Sequence, residues 1–142
     1  MRHILATLVT LVLAVPAGAG VPAKAPRPQL NLRASPRIAF SPTMVFVTAE
    51  LAGAEHSEEY YCAEVLWEWD DGERSAHGED CPAYQAGAPV QRRFTARHAY
   101  RQAGLYRVRV TLLRSGRPLS VANTTVNVRP VLGDMTRNTL EE

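Results

Sequence analysis

From residue 30 onward, apolar and polar side chains alternate in short runs. "LNLRA" places Leu30 and Leu32 on one side. "TMVFVTAEL" places Val45, Val47, Ala49 and Leu51 together. "CAEVLWEW" puts Val65, Trp67 and Trp69 on one face, with Cys62, Glu64, Leu66 and Glu68 on the other. "LYRVRVTLL" directs Tyr106, Val108, Val110 and Leu112 inward, and Arg107, Arg109 and Thr111 outward. "LSVANTTVNVR" returns with Val126 and Val128 on its inner face. A period of two is the mark of a strand with one face buried. The short polar turn "RSGRP" predicts that the last two runs form a hairpin. "QRRFTAR" reads as a short edge strand, and "SPRIAFSP" as a connection bracketed by prolines. "AGAEHSEEYY" reads as a polar loop, and residues 71–90, rich in Gly, Asp, Ser, Pro and Ala, as a long one. No stretch carries a helical period. Six or seven short strands in about 100 residues predict an all-β, antiparallel sandwich of two sheets. The central tryptophans would fill the space between the sheets, where large apolar area matters most.

The start of the chain has a different character. Met1-Arg2-His3 is a short basic opening, residues 4–15 are apolar apart from two threonines, and Pro16 precedes the small residues Ala17-Gly18-Ala19. This is the pattern of an export signal cleaved near residue 19. The apolar run is about a dozen residues, too short to span a bilayer as a helix. No second apolar segment of spanning length follows, so the mature chain is expected to lack a transmembrane segment. Residues 20–29, with three prolines, predict an extended linker. The sandwich is expected over 30–130, and 131–142 as a flexible tail. The expected location is outside the cytoplasm, periplasmic or secreted.

Charge and cysteine content narrow the class. The formal net charge is +2 over 142 residues, and removing Arg2 with the signal leaves +1. Such a balance makes no case for nucleic acid. Lys24 is the only lysine. The two cysteines, Cys62 and Cys81, read as one disulfide in an exported chain. The loop it closes, about 20 residues, corresponds to roughly 3 kcal/mol in the chain-entropy picture. Cys62 lies on the outward face of its run, so the bridge would staple a loop to the rim of the domain.

Three segments, in order, resemble the PKD domain, an immunoglobulin-like repeat of exported and cell-surface proteins. "WEWDDG" is similar to the family's W-D-F-G-D-G: Trp67 and Trp69 match its aromatics and Asp71-Gly72 its final pair. Glu68 stands where aspartate is usual and Asp70 where glycine is usual. "HAYRQAGLYRVRVTL" is similar to H-x-Y-x-x-P-G-x-Y-x-V-x-L-x-V through His98, Tyr100, Gly104, Tyr106, Val108 and Val110, with Ala103 replacing the proline. "ASPRIAFSPTMVFVTA" is similar to the family's opening segment. The resemblance covers roughly 30–130 and implies an immunoglobulin-like β-sandwich of about seven strands. One departure is a long insertion, 73–97, that contains Cys81. Asp71-Gly72 suits a tight turn, since the carboxylate can accept backbone N–H bonds and glycine takes positive φ. Tyr100 resembles a tyrosine corner tied to nearby backbone. Gly104 is expected to let the chain turn into the next strand.

The chemistry-bearing residues admit sharper readings. Asp70 and Asp71 would be the acid–base pair of a small secreted hydrolase, but no nucleophile or basic partner stands at recognisable spacing. Glu68, Asp70, Asp71, Glu73, Glu79 and Asp80 offer hard oxygen ligands for calcium, as in a calcium-dependent adhesion module, though not at EF-hand spacing. His56, His77 and His98 are scattered, and nothing predicts their convergence on zinc. Trp69, Met44 and Phe46 are weighed as a binding face against a second layer of packing. Asn123-Thr124-Thr125 fits a glycosylation acceptor. The resulting expectation is a non-catalytic module that works without a cofactor. The resemblance implies a role in protein or glycan interaction, or as a spacer, in the cell envelope or outside the cell. The expected contact surface is the 73–97 insertion and includes Glu79, Asp80, Tyr84, Arg92 and Arg93.

Overall fold

The computed structural model describes residues 27–131. The expected signal, all but the last residues of the linker, and the tail after 131 lie outside the described residues. Eight strands form two sheets: β1 (Gln29–Ser35), β2 (Ile38–Phe40), β3 (Thr43–Ala52), β4 (Glu64–Glu68), β5 (Arg74–His77), β6 (Arg93–Tyr100), β7 (Gly104–Arg114) and β8 (Arg117–Arg129). The three-stranded sheet runs β1-β3-β6, and the five-stranded sheet runs β2-β8-β7-β4-β5. The only helical piece among the described residues is a 3-10 turn, Glu58–Tyr60. This is the immunoglobulin-like sandwich that the alternation and the resemblance predict.

Every pair is antiparallel except β2 with β8, which is parallel. The chain leaves β1 at Ser35, crosses to the other sheet without reversing, and so meets β8 running the same way. The segment expected as a plain connection is therefore a strand that closes the edge of the larger sheet. The long loop also differs from expectation. Arg74–His77 pairs with β4, Val65 opposite His77 and Glu68 opposite Arg74. All four of its residues are exposed, so backbone pairing and not burial holds it. Between β5 and β6 the chain is irregular over 78–92.

The core is built from the inward positions of both sheets. Val45, Val47, Ala49 and Leu51 face Val65, Trp67, Val108, Val110, Leu112, Val126 and Val128, all buried. β-branched residues suit this setting because their restricted rotamers pack well on a pleated surface. Thr111, expected to face outward into solvent, does face outward but is buried. It lies mid-sheet between Leu66 and Val121, which cover it from both sides. Tyr60, in the segment read as a polar loop, is also buried, and its hydroxyl meets the Ser120 hydroxyl at 2.7 Å. It pins the β3–β4 connection to the start of β8.

Candidate functional site

The strand registers put two different surfaces at opposite ends of the sandwich. One end holds the β4–β5 turn, 69–73, and the β6–β7 turn, 101–103. The other holds the β3–β4 connection, 53–63, and the 78–92 loop.

At the first end β4 runs out at Glu68 and the chain reverses through Trp69-Asp70-Asp71-Gly72. The Trp69 N–H donates to the Glu73 carbonyl at 3.2 Å, closing the turn. Gly72 sits at φ 92° and Asp70 at φ 64°, both left-handed. Aspartate tolerates that region better than most residues. That explains how Asp70 occupies the position where the resembling pattern has glycine. Its Oδ2 accepts the Arg107 N–H at 2.8 Å, tying the turn to β7.

Asp71 is bonded on both oxygens. Oδ1 accepts the Glu73 N–H at 3.1 Å, the bond expected of this turn. Oδ2 lies 2.6 Å from His98 Nε2, across the sandwich on β6. An ionised carboxylate only accepts, so Nε2 carries the proton there. His98 Nδ1 faces Glu73 Oε2 at 3.9 Å. Burial works to raise the Asp71 carboxyl, but the His98 hydrogen bond, the Glu73 N–H and the histidine's charge together hold it below its ordinary value.

An aromatic column seals this pair. Trp67 stacks on Trp69 with centroids 5.9 Å apart, and Trp69 stacks on His98 at 4.5 Å. His98 meets Tyr100 edge-on at 4.8 Å, and Tyr100 stacks on Tyr106 at 4.1 Å. Trp69 Nε1 donates to Ser75 Oγ at 3.1 Å. Trp69 is 2% exposed, so it belongs to the core and not to a binding face; Met44 and Phe46 remain exposed. The Tyr100 hydroxyl donates to the Trp69 carbonyl at 2.9 Å. Its backbone tie therefore reaches across to the other sheet. Burial first, and then the Asp71 charge, push its pKa up. The local tie of a tyrosine corner is made instead by Tyr106, whose hydroxyl donates to Gln102 O at 2.9 Å. Gly104 also has a reason different from the one expected. A Cβ there would stand 3.0 Å from the Tyr106 ring, so the ring needs glycine for its close approach.

The cross-sheet Asp71–His98 bond is the feature that sequence reading missed. Its signal was present: the histidine and the last aspartate are both motif positions. Chemically the cluster is a clamp. Its acids, imidazole and hydroxyls are each engaged with one another or with backbone, and His98 is only 8% exposed. The six acids weighed as calcium ligands do not gather at one point. Glu68, Asp70, Asp71 and Glu73 are at this end, and Glu79 and Asp80 are at the other. Among the described residues no three His, Cys, Asp or Glu side chains form a metal-ready group.

At the second end the Cys62–Cys81 disulfide joins the two connections, with Cα atoms 6.0 Å apart. Tyr84 packs edge-on against Tyr61 at 5.2 Å, and its hydroxyl donates to the His56 carbonyl at 3.4 Å. Arg92 pairs with Glu55 at 3.0 Å and Arg93 with Glu50 at 2.7 Å. The Arg93 hydrogen bond and charge hold the Glu50 carboxyl below its ordinary value. Glu79 and Asp80 are exposed beside Cys81. Tyr61, Pro82 and Pro89 help to line an open hollow of about 390 Å³. Of the expected contact residues, the structure gathers Glu79, Asp80 and Tyr84 on the stapled loop and Arg92 at its base. Arg93 lies instead on the outer face of the three-stranded sheet.

No protein-family model and no curated protein matches the sequence. Solved structures do resemble it. The PKD domain of an M14-like peptidase from Thermoplasmatales archaeon SCGC AB-540-F20 superposes with a TM-score of 0.52 at 15% identity, covering 75% of this chain and 99% of that one. The CARDB domain of the PF1109 protein from Pyrococcus furiosus, in complex with di-metal ions, gives 0.46 at 14% identity, covering 75% of this chain and 96% of that one. No helix among the described residues is long and apolar enough to cross a membrane. The chain has the immunoglobulin-like fold of the archaeal PKD domain, and Trp67, Trp69, Asp71, His98, Tyr100 and Tyr106 stand together at one end of it.

Proposed function

We propose that this is an exported, non-catalytic PKD-like module that contacts an envelope or extracellular protein or glycan, or spaces other parts, through its stapled loop. The observation that carries this reading is the contrast between the two ends. At the motif end the polar groups are consumed in holding the sandwich together. The 78–92 loop instead leaves Glu79 and Asp80 exposed, packs Tyr84 on Tyr61, and forms an open hollow with Tyr61. A disulfide supports an oxidising location, where such bridges persist. Rigidifying a loop lowers the entropy lost when it binds, which suits a contact surface.

The test is a pull-down from envelope extract with the mature domain and a variant in which only 78–92 is shortened. Excision of the whole 73–97 stretch would delete β5 and most of β6. Specific partners should be lost with the loop while the melting curve stays cooperative. Retention of every partner by the shortened variant would refute the loop as the contact site. A metal-free module also predicts no change in melting temperature when calcium is added to millimolar concentration.

A further inference from the structure

The outer face of the five-stranded sheet carries a second surface, independent of the loop. Its registers lay the side chains out in rows across the strands. One row reads Asn123, Arg109, Glu68, Arg74, from β8 through β7 and β4 to β5. The next row on one side reads Val121, Thr111, Leu66, Ala76 in the same strand order. On the other side Thr125 stands beside Arg107, and Asp70 accepts the Arg107 N–H at 2.8 Å. Val121 is 52% exposed, a high value for a large apolar side chain on a sheet face.

The charged rows border an open groove of about 700 Å³, lined by Arg74, Arg107 and Arg109 and by Glu68, Asp70 and Glu73. Positive and negative groups balance, so the lining is neutral as a whole. They are nonetheless sorted by strand. Arg107 and Arg109 stand on β7, and Glu68 and Asp70 stand at the end of β4 and just beyond it. The pairs within the chain are long: Arg74 and Arg109 share Glu68 at 3.6 and 3.9 Å. Among the described residues, Arg107 has no ion-pair partner. Guanidinium groups bind carboxylates best in a planar, two-pronged geometry, which this sharing does not supply.

We propose that this face docks a second copy of the chain, about a twofold axis that runs along the strands between β7 and β4. That rotation lays β7 of each copy over β4 of the other, and β8 over β5. Arg109 then meets the partner's Glu68, and Arg107 meets the partner's Asp70. The apolar row also matches itself, with Val121 on the partner's Ala76 and Leu66 on the partner's Thr111. Charge selects this occupant. A ligand of one sign meets like charge over half of the lining, whereas the twofold copy offers acids to arginines and arginines to acids. The axis keeps the strands of the two facing sheets nearly aligned, as stacked sheets prefer. Four strands about 4.8 Å apart and about ten residues long cover roughly 600 Å² per copy. That is the low end for a specific interface, so the dimer forms at micromolar concentration and above.

Light scattering on the mature chain, from about 1 µM to about 500 µM, tests this. The mass should rise from that of one chain to that of two and then stop, because a twofold interface closes on itself. R109E sets acid against the partner's Glu68, and E68R sets base against the partner's Arg109. Each alone should weaken association at least about tenfold. Mixed in equal amounts, the two variants should associate again, because both crossing pairs then join opposite charges. Misfolding of either variant could not produce that rescue. V121E should weaken association with every groove charge in place. A monomer at all concentrations, growth beyond two chains, unaltered association in R109E, or no rescue in the mixture would overturn the proposal. Shortening 78–92 should leave the dimer intact, which separates its failure from failure of the loop reading.

Discussion

Asp71 contributes a proton-linked share of stability. Its folded pKa lies below its ordinary value of 3.8. The unfolded state therefore binds the proton first as pH falls. The contribution is complete above the unfolded pKa and disappears as pH drops through the lower folded one. As pH drops below the ordinary carboxylate value, urea midpoints should fall more steeply in the wild type than in Asp71→Asn. At neutral pH the Asn variant should lose about 1–3 kcal/mol, because it breaks a charge-assisted bond to a buried ring. That is a drop of about 4–8 °C per kcal/mol in a thermal melt of a domain this size. Tyr100→Phe leaves the Trp69 carbonyl without its donor and should cost about 1–2 kcal/mol. The raised Tyr100 pKa has the opposite pH sense. Its contribution is present below the ordinary value of 10.0 and is lost as pH climbs toward the higher folded value. Alkaline melts should show this loss in the wild type and not in Tyr100→Phe.

Among the elements, turn chemistry explains most of the connections. Ser115 at φ 50° and Gly116 at φ 74° form the two-residue link between β7 and β8, a mirror-image turn whose twist matches its strands. Gly104→Ala would push a methyl into the Tyr106 ring and should cost about 1–3 kcal/mol by overpacking, read from chemical denaturation. Replacing Cys62 and Cys81 together by serine should cost roughly 3 kcal/mol and expose 78–92 to limited proteolysis first. The strands legible in the sequence are those with a buried face, because alternation records burial. β3, β4, β7 and β8 could be read for that reason. β5 could not, since Arg74–His77 has no apolar face and exists only through its pairing. β2 was hidden for a related reason: Ile38 and Phe40 point away from the core. Tyr60 looked like one more polar-loop residue because its burial depends on β8, some 60 residues away.

At the scale of the molecule, the likeness of motif positions foretold the architecture. It did not foretell which pairs bond. Asp71 with His98, and Tyr100 with Trp69, are set by how β6 lies over the β4–β5 turn, and sequence separation hides that distance. The contact surfaces were less legible still. Arg92 and Arg93, adjacent in sequence, neutralise different acids, Glu55 and Glu50, whereas Arg107 and Arg109 share a strand face with Leu105. The ring column has one more consequence. The chain's two indoles are both inside it, so intrinsic emission reports on a single locality. A fluorescence melt follows the separation of the sheets at the turn end and is blind to the bridged loop. Comparing it with a far-ultraviolet dichroism melt would show whether the sandwich opens from that end first.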